Sequence, residues 1–527
     1  MARTLVCRVG FSRRLGFLSD PADHRLKPML QAKARATDGH AIAGAHLSGV
    51  FRTQDTRPRP NVLGSIPPLG VECPIMPHSR RRFFALAAGG LLAAQDRPKE
   101  GMIVRSTRPE DLEMALGAFS DYITPVEHFF VRTHVYAPTV KLNDWRLKVD
   151  GEVDASMAFT LDELRGMPAV ELIAVAECAG NGRGLYEPTI PGLQWVSGSV
   201  GNGRWRGVRL ADVLKRAGVK ASAVEVLFDG ADEPIGTMQD FRRSITMKKA
   251  LDPNTLLAYE MNGQALPVKH GFPLRVVAPG WASDSWVKWL TSITVLNKEW
   301  DGFWMKNAYR RPDHPVAPGA ALTPDQMAPV TSLQVKSVIT SPVDGAVVPP
   351  GAPITVKGAA WSGDAGPVTG VDVSVDNGRT WSAASLYRDQ QTQFGWRQWE
   401  YSWSPSREAY YTVMSRARDA GGAVQPLAQE WNPSGYGWNV VSRVGIDVRS
   451  GMAAASAPPR PLAPEPPAAF KNTCLACHED DVIRQQRLTR AQWDRELNKM
   501  SGWGAQLSPD VRESFLDYLS ANFGPRR

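Results

Sequence analysis

The fold of this 527-residue chain is decided by the stretch Glu171-Leu-Ile-Ala-Val-Ala-Glu-Cys178-Ala-Gly-Asn-Gly-Arg183. The apolar run 171–176 predicts a buried strand, and the Gly and Asn residues that follow predict a turn. Cys178 therefore stands where a strand ends, with Arg183 nearby. That is the setting of a low-pKa thiolate, which acts as a soft metal ligand or a nucleophile. From these residues alone, a structural cysteine is an equally good interpretation.

The pattern around this stretch predicts an α+β fold with several domains. Strand-like and helical runs alternate over 100–330, and Leu210–Ala217 is one helix with a single apolar face, which predicts a mixed α+β domain. Short alternating runs with turn signals over 331–450 predict an immunoglobulin-like β-sandwich. Residues 451–468 are rich in Pro and Ala and predict an extended linker. Residues 469–527 predict a small all-α domain.

The N-terminal part of the chain predicts export. Residues 79–94 read Ser-Arg-Arg-Arg-Phe-Phe-Ala-Leu-Ala-Ala-Gly-Gly-Leu-Leu-Ala-Ala, which is typical of a twin-arginine signal peptide. We therefore interpret 76–95 as that signal and 1–75 as a mis-annotated start or a disordered leader. The apolar run 83–94 is too short to cross a bilayer, so we expect a periplasmic protein without a membrane span.

The formal charge of +8 does not indicate a nucleic-acid partner. Residues 1–75 hold eleven Lys or Arg and five Asp or Glu, and 76–94 add three Arg, which leaves a charge of −1 on the rest. A near-neutral body has no basic surface for a phosphate backbone. Five cysteines are also too few for a disulfide framework in a chain of this length.

The stretch Cys474-Leu-Ala-Cys477-His478 has the pattern that attaches a c-type haem. The two thiols bond to the porphyrin and His478 becomes the proximal iron ligand. A zinc site would need a second half-site, but no Cys or His follows His478, and a thioredoxin-like pair would need a βαβ setting. Met500 is the one methionine after His478 and is the candidate sixth ligand, with core packing as its alternative.

Several motifs together resemble the sulfite oxidase family over roughly residues 100–445. They are the turn Cys178-Ala-Gly-Asn, Phe129-Phe-Val-Arg132-Thr-His134, His270-Gly-Phe-Pro-Leu-Arg275 and Val287-Lys288-Trp289. The resemblance implies a molybdenum-molybdopterin cofactor, with the Cys178 thiolate as the metal ligand, and makes the β-domain a dimerisation domain.

The resemblance also assigns the other site residues. It implies that Arg132, Arg183, Trp195 and Tyr309 face the substrate, and that His134, His270, Arg275 and Lys288 hold the pterin and its phosphate. Cationic donors that converge on a phosphate make independent chemical sense.

One position departs from the family pattern. The segment Trp431-Asn-Pro-Ser434-Gly435 has a serine where family sulfite oxidases commonly carry an arginine of the anion pocket. Sulfite is a small dianion, whose site should have converging positive charge. Arg132 and Arg183 keep an anionic substrate plausible, but sulfane sulfur becomes an alternative to sulfite.

The expected activity is therefore that of a periplasmic sulfite dehydrogenase. It would oxidise a small anionic sulfur substrate and pass electrons singly through haem c to an acceptor cytochrome c or a similar carrier, as a homodimer. The alternatives are a sulfane-sulfur dehydrogenase, a molybdenum reductase of sulfoxides or oxyanions that the haem feeds, and a non-catalytic electron-transfer binding protein.

Overall fold

A computed structural model of the protein describes residues 101–451 and 465–525. The predictions on 1–75 and on the signal 76–95 lie outside the described residues, as does most of the linker 451–468. In the two described segments, no helix is long and apolar enough to cross a bilayer.

Residues 103–329 form a mixed α/β region. Its strands are β1 (Ile103–Thr107), β2 (Glu110–Glu113), β3 (Leu147–Gly151), β4 (Met157–Phe159), β5 (Ala169–Glu177), β6 (Val200–Arg209), β7 (Glu225–Asp229), β8 (Arg242–Thr246), β9 (Leu256–Met261), β10 (Gln264–Ala265), β11 (Arg275–Val277), β12 (Ser292–Leu296), β13 (Arg310–Pro312) and β14 (Met327–Pro329). Its helices are α1 (Leu161–Arg165), α2 (Leu210–Ala217), α3 (Met247–Ala250) and α4 (Phe303–Lys306). One five-stranded sheet has the order β10-β9-β6-β5 with β11 also on β9, and a second has the order β4-β3-β12-β7-β8. The pairs β1-β2 and β13-β14 form two further, two-stranded sheets. The predicted mixed α and β content and the predicted helix α2 are confirmed.

The antiparallel pair β5 and β6 places the cysteine turn. The two strands pair along the whole of β5, from Ala169 to Glu177. Ala174 and Ala176 of β5 are buried in an apolar cluster that includes Phe129. On β6, a Cβ at Gly201 would lie 2.5 Å from the Phe129 ring, so the close packing of strand and ring requires glycine there. Because β5 ends at Glu177, Cys178 begins the turn at the end of a buried strand.

Residues 336–448 form a β-rich region of two sheets around one apolar core. Its strands are β15 (Lys336–Ser341), β16 (Ala346–Val348), β17 (Ile354–Trp361), β18 (Val368–Ser374), β19 (Ser382–Ala383), β20 (Ser385–Leu386), β21 (Arg397–Trp403), β22 (Ala409–Asp419) and β23 (Ser442–Val448). The sheet orders are β15-β17-β21-β20 and β16-β23-β22-β18-β19. Val356, Val371 and Val413 are buried in the shared core. The β-rich domain predicted for 331–450 is confirmed.

The C-terminal region is helical, as predicted. Its helices are α5 (Phe470–Thr473), α6 (Asp481–Arg484), α7 (Arg490–Gly502) and α8 (Pro509–Asn522). Thr489 and Gln492 form a capping box that starts α7. Phe515 of α8 packs on Phe470 with ring centroids 5.0 Å apart. Whether this helical region is a cytochrome c domain stays a prediction.

Candidate active site

Hydrogen bonds on both sides of Cys178 fix the turn in which it lies. The Cys178 N–H donates to the Ser199 carbonyl at 2.9 Å, and the Asn181 N–H donates to the Cys178 carbonyl at 2.9 Å. The Asn181 side chain donates to Glu177 at 2.9 Å. Gly182 has φ of +97°, and a Cβ there would lie 2.4 Å from Trp438, so the turn needs glycine at this position.

A buried ion pair ties the same turn to the β-rich region. Glu177, which precedes Cys178, pairs with Lys336 of β15, and both side chains are less than a tenth exposed. The Trp361 indole N–H of β17 donates to the second Glu177 oxygen at 2.7 Å. All three groups are buried together, so the Cys178 turn and the neighbouring β-rich region share one polar network.

A cleft of about 690 Å³ opens beside Cys178. Most of the residues that the sequence assigned to the molybdenum site line it: Arg132, His134, Cys178, His270, Arg275, Lys288 and Tyr309. These residues come from separate strands, turns and loops between positions 132 and 309. The fold thus brings them to one place.

Arg132 is held by a carboxylate that the sequence did not single out. Asp111, in β2, pairs with Arg132 at 3.2 Å and accepts from the Thr133 N–H at 2.8 Å. Burial raises the pKa of Asp111 to about 6, against the opposing charge of Arg132. Burial also works against the Arg132 cation, but the neighbouring Asp111 carboxylate outweighs it and raises the Arg132 pKa. Arg132 is therefore a fixed cation at the cleft.

His134 and Tyr309 form a hydrogen-bonded aromatic pair. His134 Nε2 lies 2.7 Å from the Tyr309 hydroxyl, and its ring stacks on Phe241 at 4.1 Å. Burial, followed by the charge of Arg132, lowers the His134 pKa well below its usual range. Burial raises the pKa of Tyr309 well above its usual range. His134 is therefore a neutral imidazole and Tyr309 a protonated phenol. The two groups can orient an anion, but neither carries a charge.

Arg275 is a buried cation and Lys288 a largely buried one, and in the described structure both donate hydrogen bonds only to backbone carbonyls. Arg275 donates to the His270 carbonyl at 3.0 Å and the Trp286 carbonyl at 3.2 Å. Lys288 donates to the Arg132 carbonyl at 3.0 Å. Burial lowers the pKa of Arg275 to about 9, and burial together with Arg275 lowers that of Lys288 to about 7. A bound anion would raise the pKa values of both side chains and so keep them positively charged.

Arg183 and Trp195 lie next to this cleft but do not line it. Arg183 donates to the Leu193 carbonyl at 3.3 Å and to the Ser434 carbonyl at 3.3 Å. Trp195 is fully buried in the apolar cluster that contains Cys178. Their contact with substrate stays a prediction.

The loop that carries Ser434 delivers an aromatic ring to the site. Tyr436 stacks on Tyr309 with centroids 5.4 Å apart and planes 11° apart. The Arg183 guanidinium lies over the Tyr436 ring, 5.0 Å from its centroid. Where the family pattern has an arginine, this chain thus presents a serine carbonyl and a tyrosine.

Comparison with known proteins agrees with this geometry. Family models for an oxidoreductase molybdopterin binding domain and a Mo-co oxidoreductase dimerisation domain match residues 134–304 and 327–449. The sulfite oxidase of Gallus gallus is 36% identical over 65% of this chain and 77% of its own length. The chain belongs to the sulfite oxidase family. Mitochondrial sulfite oxidase of Mus musculus is 37% identical over 66% of this chain, and the match spans 65% of that relative's length.

The fold of this chain is also similar to that of a solved structure. The sulfane dehydrogenase SoxCD from Paracoccus pantotrophus aligns with a TM-score of 0.55 and 28% identity, over 66% of this chain and 88% of that chain. The similarity extends beyond the cysteine turn to the architecture of most of the described residues.

The cleft fits the molybdenum cofactor of the family. It combines one thiol, Cys178, with the buried cations Arg275 and Lys288, whose charges an anionic phosphate would balance. Asp284 also lines the cleft, and its Oδ1 is buried without a hydrogen-bond partner among the described residues. Such an orphan acceptor suits the N–H donors of a pterin ring.

The expected low pKa of the Cys178 thiol is wrong for the protein alone. Burial raises its pKa, against the lowering effects of Arg132 and of the Gly180 N–H. The sequence showed the nearby arginine but not that the thiol is buried. A bound metal cation deprotonates a coordinating thiol outright, so the ligand role does not depend on the arginine.

The stretch Cys474-Leu-Ala-Cys477-His478, predicted to attach a haem, follows α5 at the edge of the C-terminal core. Cys474 packs against that apolar core, and burial raises its pKa to about 12, whereas Cys477 is exposed. The Nδ1 atom of His478 lies 2.8 Å from the Glu479 carbonyl, a contact that keeps a proton on Nδ1 and leaves the lone pair of Nε2 available to a metal. These groups fit a c-type haem. Met500 lies half-buried in α7, and its ligand role stays a prediction.

Sequence reasoning missed Asp111, Tyr436 and Arg311. Arg311 and Cys178 both line a second, smaller cavity of about 360 Å³ beside the β-rich region. Asp111 stands in a short hairpin strand, and Tyr436 stands in a loop from another domain. No local pattern marks such residues, because their roles come from contacts that are remote in sequence.

Proposed function

We propose that the protein is an exported sulfite dehydrogenase. It converts sulfite and water to sulfate, two protons and two electrons, and the electrons leave singly through a covalent haem c to an acceptor cytochrome c. The observation that carries the proposal is one cysteine, Cys178, at the end of β5 beside a cleft lined by buried cations. The family relationship supports the same chemistry.

The residues divide the work between the cofactor and the substrate. Cys178 would bind molybdenum, while Arg275, Lys288 and His270 would hold the pterin and its phosphate. When bound, this cofactor supplies two-electron oxidation with oxygen-atom transfer. Arg132 and Arg183 attract and orient the anion, and Tyr309, hydrogen-bonded to His134, donates to it. The buried setting strengthens each of these electrostatic contacts.

The C-terminal region would carry the electrons onward. Cys474, Cys477 and His478 would attach the haem, with Met500 as the second iron ligand, which suits electron transfer. Fusing a one-electron carrier to a two-electron centre supports an acceptor such as a soluble cytochrome c in the periplasm. The match to the dimerisation domain supports a homodimer.

Sulfane-sulfur oxidation is the second candidate, and the Ser434 loop favours it. This loop presents a carbonyl and the Tyr436 ring beside Arg183 instead of a further cation. A site with less positive charge suits a substrate with less negative charge than free sulfite. The similarity to the sulfane dehydrogenase points in the same direction.

One assay separates the two candidates. The protein is purified with its molybdenum and haem contents measured, and soluble cytochrome c is supplied as the acceptor. We expect sulfite to reduce two cytochromes for each sulfate formed. Reduction by glutathione persulfide but not by sulfite would assign the sulfane activity, and reduction by neither would reject the proposal.

A further inference from the structure

The C-terminal helical region docks on the loop that flanks the active site. Two adjacent glutamines after α6 make the contact. Gln485 Oε1 accepts from the Gln194 N–H at 2.8 Å, and Gln486 Nε2 donates to the Gly192 carbonyl at 2.8 Å. Gln485 Nε2 also donates to the Arg105 carbonyl at 2.7 Å. Both side chains thus satisfy main-chain groups of the other region.

The docked loop, residues 190–195, touches the turn that follows Cys178. The Leu193 carbonyl accepts from Arg183 at 3.3 Å, and the Trp195 carbonyl accepts from the Gly184 N–H at 2.9 Å. Gln194 closes the loop on itself by donating to the Gly192 carbonyl at 2.7 Å. The position of Arg183 therefore depends on the conformation of this loop.

The far end of the loop is held from within the molybdenum domain. Glu113 is almost fully buried and accepts from the N–H groups of Ser197 and Gly198, at 2.8 Å and 2.7 Å. Residues 192–194 have no such carboxylate in the described structure; their hydrogen bonds come from Arg183, Gln485, Gln486 and Gln194 itself. The segment just after the loop is thus held by its own domain, whereas Gly192 and Gln194 within the loop also receive hydrogen bonds from the C-terminal region.

Apolar packing adds to this contact. Val482, in α6, packs against the cluster that contains Cys178, Leu193 and Trp195. Undocking of the C-terminal region would expose this apolar surface to water. It would also break the hydrogen bonds to the Gly192 and Gln194 main-chain groups, so their contribution to stability would be lost.

We infer that the C-terminal region is part of the substrate site, with Gln485 and Gln486 as positioning residues that act through the 190–195 loop on Arg183. The region then does more than carry electrons, because its docking also orders the anion-binding side of the molybdenum centre. The inference rests on the proposed function for the role of Arg183.

The test uses the full-length holoenzyme with Gln485→Ala and Gln486→Ala combined. The matched control is Thr237→Ala, since Thr237 donates to the Gly502 carbonyl at 3.0 Å in another part of the same interface. Amide hydrogen exchange is followed by mass spectrometry over residues 179–186 and 189–197. Steady-state kinetics with sulfite are measured alongside.

We expect the double variant to exchange faster in both peptides and to show a several-fold higher KM for sulfite, with kcat within about twofold, while the control changes neither. Unchanged exchange would overturn the inference, as would faster exchange with an unchanged KM. A fall in kcat alone would mean that the glutamines serve only electron transfer. If the wild-type protein does not oxidise sulfite, the proposed function fails, and exchange over 179–186 still decides whether docking orders the Arg183 turn.

Discussion

At the residue scale, the site contains two cations, Arg275 and Lys288, that have no ion-pair partner among the described residues. Arg275 donates to main-chain carbonyls and lies over the Trp205 ring at 4.9 Å, and burial lowers its pKa to about 9. A buried cation in this position is costly unless a ligand balances it. We infer that this cost favours the binding of an anionic cofactor in the cleft.

Replacing this arginine should separate cofactor binding from folding. We predict that Arg275→Met lowers the molybdenum and pterin content at least about tenfold, because a charge-assisted contact contributes roughly 1.5–3 kcal/mol. Metal analysis and pterin fluorescence of the purified protein measure the effect. Arg206→Met is the control, since Arg206 is an exposed arginine paired with Glu260. Full cofactor content in Arg275→Met would refute the phosphate assignment.

Replacement of Cys178, the proposed metal ligand, should have a larger effect. We predict that Cys178→Ser lowers sulfite oxidation more than about 100-fold, because loss of the partners that merely orient a ligand already costs about 10–100-fold. The measurement is the cytochrome c reduction rate per bound molybdenum. Activity within tenfold of wild type would show that Cys178 is structural.

Individual residues also mark the limit of sequence reasoning. The motifs placed Arg132, His134, Cys178 and Tyr309 in one site, and the cleft does contain them. The sequence could not reveal Asp111 or Tyr436, because neither belongs to a local pattern. The low pKa expected for Cys178 failed for a similar reason, since burial depends on the whole fold.

At the element scale, the strand β5 does more than deliver the cysteine. Its last residue, Glu177, pairs with Lys336 and accepts from the Trp361 indole, so it fastens the turn to the β-rich region. An intact buried ion pair contributes little to the stability of the fold, but loss of one partner leaves an uncompensated buried charge.

This network gives a stability prediction. Lys336→Met should lower the free energy of unfolding by about 3–5 kcal/mol, because the buried Glu177 carboxylate loses its counter-charge. Urea unfolding of the cofactor-free protein measures it. The double variant Glu177→Gln with Lys336→Met should recover more than half of the loss. If the double variant is no more stable than Lys336→Met, the pair does not couple the two regions.

Elements were more predictable than contacts between them. The helix at Leu210–Ala217 and the strand containing 171–176 follow from apolar periodicity, and the structure has both. The hairpin turn at Asn377-Gly378 follows from its turn residues, and both adopt positive φ, of 58° and 84°. Periodicity carries no information on which domain supplies Lys336 to Glu177.

At the scale of the whole molecule, the C-terminal region is docked and not merely tethered. Beyond the glutamine contacts, Thr107 donates to Asp481 through its N–H at 2.7 Å, and Arg108 donates to the Leu475 carbonyl at 2.6 Å. The Pro/Ala composition of 451–468 predicts a linker but does not predict this docking. The contacts come from side chains that look like ordinary surface residues in the sequence.

The proposed path of electrons gives a prediction at this scale. We predict that His478→Ala lowers cytochrome c reduction by sulfite more than about tenfold with the molybdenum content unchanged, because the haem loses its proximal ligand. Exposed Gln506→Ala in the same region serves as the control. An unchanged cytochrome c reduction rate in His478→Ala would exclude the haem from the path.

The central claim is that a sulfite-oxidising centre at Cys178 passes electrons to a haem in the same chain. The most direct measurement is anaerobic mixing of the purified protein, shown to contain molybdenum and haem, with sulfite while the visible spectrum is recorded. We expect the reduced α-band of the haem to appear without any added mediator and to be absent in Cys178→Ser. A haem that stays oxidised in the wild-type protein would show that electrons do not pass from the molybdenum centre to the haem.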